Sequence, residues 1–97
     1  AVGLDEKFVQ GWSAIGYAYS QMQDWDKAIE ANERVLAIAP NDYGTLKNVA
    51  ILYNESDRPR EALSYATQAL KVAPEKDKQT LEKFVESLQI QIGESER

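Results

Sequence analysis

The sequence predicts an all-α chain built as an α-α superhelix, with two consecutive helix-turn-helix units and a closing helix. Three observations carry this. Pro40 and Pro74 stand 34 residues apart, and each ends a similar run: Val35-Leu36-Ala37-Ile38-Ala39-Pro40 and Ala69-Leu70-Lys71-Val72-Ala73-Pro74. Other pairs keep step at the same period: Trp12 with Leu46, Ile15 with Val49, Gly16 with Ala50, Tyr19 with Tyr53, and Ala28 with Ala62. Few of these pairs are identical, but all keep size class and polarity, as stacked repeats require. Within a unit, apolar residues recur at the i, i+3, i+4, i+7 spacing of a helix that buries one stripe.

The first unit is expected over residues 9–42. Its first helix carries the stripe Trp12, Ile15, Gly16 and Tyr19. Asp24 follows as a short side chain able to cap the amides of the next helix. That second helix carries Ala28, Ile29, Val35, Leu36 and Ile38, and it stops before Pro40, whose ring cannot continue the backbone ladder. The second unit, residues 43–76, repeats the plan with Leu46, Val49, Ala50 and Tyr53. Asp57-Arg58-Pro59 breaks the chain, and Pro59 suits the first turn of a helix, where its missing N–H is harmless. Glu61 favours that positive helix end. Ala62, Leu63, Ala66, Ala69 and Leu70 then form an inner face.

The two ends are less regular. Residues 1–8 read in register as the tail of an upstream repeat, or alternatively as an extension of the first helix. Downstream, Leu81, Phe84, Val85, Leu88 and Ile92 form a stripe one residue later than strict repetition would place it. Glu82, Lys83, Glu86 and Gln89 occupy the other side, so residues 77–92 are expected to be an amphipathic helix that covers the last apolar face. Residues 93–97 read as a frayed end.

Composition narrows the function. Of the 97 residues, 43% are hydrophobic and 28% charged, ordinary values for a folded domain. No Cys or His is present, which excludes Cys/His zinc sites, thiol nucleophiles and histidine bases within this segment. The carboxylate pairs Asp24/Asp26, Glu30/Glu33 and Glu82/Glu86 read as solvated faces, and the five Gly are scattered rather than grouped around a phosphate. No enzyme activity and no cofactor is expected. A net charge of −5 argues against nucleic acid as partner and is compatible with a basic peptide. No apolar run is long enough for membrane insertion, and Asp5, Glu6 and Lys7 interrupt any signal-like segment. The sequence does not indicate a compartment.

Taken together, these residues resemble the tetratricopeptide repeat. Residues 9–42 match its pattern with Trp12, Ile15, Gly16, Tyr19, Ala28 and Pro40, and residues 43–76 with Leu46, Val49, Ala50, Tyr53, Ala62, Ala69 and Pro74. Asn32 and Ala66 depart from it where an aromatic is usual, and Val35 where Ala is usual; a buried Asn32 would need hydrogen-bond partners. The resemblance implies a protein–protein interaction scaffold whose first helices line a concave groove for a partner's peptide or helix. By that resemblance Ser13, Tyr17, Lys47, Asn48, Ile51 and Lys83 are the candidate groove residues. Tyr17 and Ile51 could instead pack on neighbouring helices. The clamp that some members use for chaperone C-termini is not expected, because Ser13, Tyr17 and Gln79 replace its key residues and only Asn48 matches outright. The alternative reading is a structural or self-associating segment of a longer solenoid.

Overall fold

A computed structural model describes the backbone of residues 2–96 and the side chains of residues 8–96. Five helices follow one another: α1 (Val2–Gln21), α2 (Trp25–Ile38), α3 (Tyr43–Glu55), α4 (Pro59–Val72) and α5 (Glu75–Ser95). Each packs chiefly on its neighbours in sequence, α1 on α2, α2 on α3, α3 on α4 and α4 on α5. The described residues contain no strand.

The period of 34 is visible in the backbone itself. α1 ends with Gln23 in the left-handed region at φ 59°, and α3 ends with Asp57 there at φ 62°. Around each, the next amide reaches back to the tyrosine of the stripe, Asp24 N to Tyr19 O at 2.9 Å and Arg58 N to Tyr53 O at 2.8 Å. A second bond links Gln23 N to Ser20 O and Asp57 N to Asn54 O. This pair of bonds is the Schellman closure of a helix C-terminus, made twice in the same register.

The helix starts follow from the sequence. Asp24 accepts from Lys27 N at 3.4 Å and caps α2, as expected. Asp42 caps α3 more closely, accepting from Thr45 N at 3.1 Å and from Thr45 Oγ1 at 2.6 Å. Pro59 is the first residue of α4, and Ala73 is extended ahead of Pro74, as a residue before proline prefers.

Two boundaries differ from expectation. α5 begins at Glu75 and runs through Gly93 to Ser95, so the expected frayed end is helical over 93–95; Arg97 lies outside the described residues. Gly93 keeps a negative φ, and a lone glycine costs a helix only about 1 kcal/mol relative to alanine. Arg60 of α4 also holds Glu96 in an ion pair. At the other end α1 is continuous from Val2, so residues 2–8 lie on the same helix as the first stripe. Ala1 is outside the described residues.

The core is centred on α2–α5. Leu46, Ala69, Ala73 and Leu81 form one cluster, and Ala50, Ala62, Ala66 and Leu88 another. Ala28, Ile29 and Leu52 join α2 to α3. The small residues let helix axes approach, and Tyr53, Tyr65 and Phe84 fill the spaces beside them. Tyr53 and Tyr65 stack, ring centroids 5.6 Å apart and 16° from parallel. Within the first unit the approach is tighter still. A Cβ on Gly16 would lie 2.6 Å from Asn32 Nδ2, so Asn32, standing where an aromatic is usual, needs the bare glycine opposite.

Burial raises the phenol pKa of Tyr43, Tyr53 and Tyr65, aided by the Asp77 carboxylate beside Tyr43 and by Glu33 beside the other two. The fold thus favours the neutral phenols. Their contribution is intact below the ordinary tyrosine range of about 10 and is lost as pH rises through the raised folded values. Urea midpoints measured across that range should fall with rising pH, and Tyr65→Phe should make the decline shallower.

Candidate groove

α1, α3 and α5, the first helix of each unit and the closing helix, line one face. Between α1, α2 and α3 lies a cavity of about 420 Å³. Ser13, Gly16, Tyr17 and Ser20 of α1 form one wall, Asn48, Ile51, Leu52 and Glu55 of α3 the other, and Trp25 and Asn32 of α2 lie between them. A second cavity of about 290 Å³ lies between α3 and α5, lined by Tyr43, Lys47 and Ile51 with Asp77, Thr80, Leu81 and Phe84. Ile51 lines both, so the two cavities adjoin along α3.

Four of the six candidate residues, Ser13, Tyr17, Asn48 and Ile51, meet at the first cavity, and Lys47 lines the second. Tyr17 is 68% exposed and Ile51 40% exposed, so neither is consumed by packing. Lys47 lies 5.7 Å from the centre of the Tyr43 ring, whose hydroxyl donates to Asp77 Oδ2 at 2.9 Å. Lys83 sits on the exposed side of α5 and lines neither cavity. Leu81 and Phe84, by contrast, pack against α3 and α4.

Asn32 is the groove residue that sequence reasoning placed only as an anomaly. It is buried, and its Nδ2 donates to Ala28 O at 2.8 Å. The signal was the missing aromatic at its position; what that vacancy opens is the floor of the first cavity.

Three of the paired carboxylates make exposed contacts. Asp26 pairs with Arg58, Glu30 with Arg34 and Glu33 with the Tyr65 hydroxyl. These contacts are exposed and contribute about 0–1 kcal/mol each. Among the described residues no cluster of carboxylates could hold a metal ion, and no helix is long and apolar enough to cross a membrane.

A helix closure repeated at a fixed period, close helix pairs built on alanine and glycine, and cavities along the first helices define a helical-repeat fold. The chain belongs to the tetratricopeptide repeat family, whose sequence profile matches residues 15–89. It is similar to the signal recognition particle receptor FtsY of Aquifex aeolicus, 35% identical over 75 residues that cover 77% of this chain and 15% of that protein. It is also similar to a TPR repeat-containing protein of Methanocaldococcus jannaschii, 33% identical over 61 residues, 63% of this chain and 11% of that protein. The chain therefore spans a small part of the length of these relatives. Family membership makes it a protein–protein interaction module, of a kind that is typically non-enzymatic.

Proposed function

We propose that the concave face binds an extended peptide or a helix of a partner protein, with Ser13, Tyr17, Asn48 and Ile51 as its centre and Lys47 beside them. The observation that carries this reading is that the two cavities adjoin at Ile51. Two adjoining cavities along α3 suit a chain segment rather than a small molecule, and the exposed Tyr17 is the type of anchor that dominates interfaces. Lys83 contributes at most at the rim of such a complex.

A partner captured on the immobilised chain provides the test. Tyr17→Ala and Asn48→Ala should each weaken its binding about tenfold or more, a loss of about 1.4 kcal/mol. Both side chains are exposed, so the unfolding midpoints should not move. Affinity undiminished in both variants rejects the groove.

A second reading, a stacking or self-associating segment, is favoured by one comparison. Val49 is fully buried, with α2 laid across α3 so that Ala28 and Ile29 meet Leu52. Its counterpart Ile15 is 42% exposed, and Phe8, two turns earlier on the same face, is 47% exposed. The α1 face that corresponds to the covered face of α3 is thus open among the described residues. If it stacks on a second copy, light scattering should show mass rising with concentration, and Ile15→Lys should abolish the rise. A mass that stays monomeric throughout removes self-association.

A further inference from the structure

We propose that the cavity between α1, α2 and α3 receives a basic side chain, arginine or lysine, from the peptide that the groove binds; this rests on the groove reading and specifies its ligand. The cavity presents acceptors. Asn32 is 5% exposed and its Nδ2 is committed to Ala28 O at 2.8 Å. No hydrogen bond engages its Oδ1 among the described residues, and no buried side-chain polar atom is sealed off without a partner, so this oxygen opens into the cavity. The Ser20 hydroxyl donates to Tyr17 O at 2.7 Å, which leaves its own lone pairs outward.

Charge points the same way. Glu55 closes the α3 wall and makes no ion pair among the described residues, while no Lys or Arg lines the cavity. Lys47 stands beyond Ile51, in the second cavity. At the rim the Tyr17 ring is 68% exposed, and an aromatic face attracts a cation. The net charge of −5 adds a long-range field of the same sign. A guanidinium or ammonium entering here would meet a carboxylate, two neutral oxygens and a ring face, whereas a carboxylate or phosphate would meet Glu55 and little to balance it. A donor hydrogen-bonded to an ionised acceptor is also the stronger kind of contact.

The experiment uses four pools of fluorescent decapeptides with random flanks and a central Arg, Lys, Gln or Glu, titrated into the whole chain and followed by anisotropy. The Arg and Lys pools should bind about tenfold tighter than the Gln pool, with Glu weakest. Comparison of the Arg and Lys pools distinguishes the planar fork from the point charge. Glu55→Gln should remove most of that preference, and because Glu55 is exposed the unfolding midpoint should not move. If all four pools bind equally and Tyr17→Ala weakens each, the groove stands and the basic-side-chain assignment falls. A preference for Arg and Lys that survives Glu55→Gln also overturns it. If no pool binds, the assignment and the groove fall together.

Discussion

Leu88→Ala is expected to lower the unfolding free energy by about 2–5 kcal/mol, toward the upper end of what a buried leucine truncation costs. Leu88 is fully buried and packs among Ala50, Ala62 and Ala66, with Tyr53, Leu63, Tyr65, Phe84 and Val85 around them. Alanines have no side chain to swing into the gap, and the stacked tyrosines are held by each other. The cavity left behind would therefore stay largely open. A domain of this size has about 5–15 kcal/mol in all, so the loss is a large share of its stability. Urea unfolding followed by far-UV circular dichroism would measure it. A midpoint within error of the parent would mean that α5 does not close the core as described.

Ala62→Leu carries the next largest effect, about 1–3 kcal/mol of destabilisation from overpacking. Ala62 has no exposed surface and shares its cluster with Ala50 on the facing helix, so three added carbons have nowhere to go without spreading α3 from α4. The sign separates this site from an ordinary alanine-to-leucine change on a helix surface, which is close to neutral in propensity. Thermal denaturation of the variant beside an exposed control, Ser64→Leu, reads the difference directly. Equal stability in the two would mean that the helices are not held at alanine distance.

The repeat was legible because its signals are local and doubled. Pro40 and Pro74 mark the ends of α2 and α4, and the stripes of the first helices can be read from spacing alone. The closing stripe, shifted by one residue, also comes out as written, with Leu81 and Leu88 buried and Phe84, Val85 and Ile92 partly so. The misreadings lie where the answer depends on a neighbour. Trp12 and Ile15 have the pattern of a core stripe, yet Ile15 remains exposed because burial needs a helix on that side, and periodicity does not report whether one is there. Gly93 looked like a terminus, but glycine ends a helix only when the backbone turns left-handed, which here happens at Gln23 and Asp57 instead. For the candidate groove, the family resemblance named Ser13, Tyr17, Asn48 and Ile51, and all four line the first cavity. Lys83, named with the one-residue insertion already counted, lines neither cavity.

The uneven depth of the core has a consequence for how the molecule breathes. Gly16 is the single fully covered position on α1 between residues 8 and 21, whereas α3 covers five. Amides of α1 are therefore expected to exchange with solvent sooner than those of α3. α1 is also one whole wall of the first cavity. In the proposed groove, a ligand bridging Tyr17 and Asn48 would hold that helix in place, and its binding would couple to the ordering of α1.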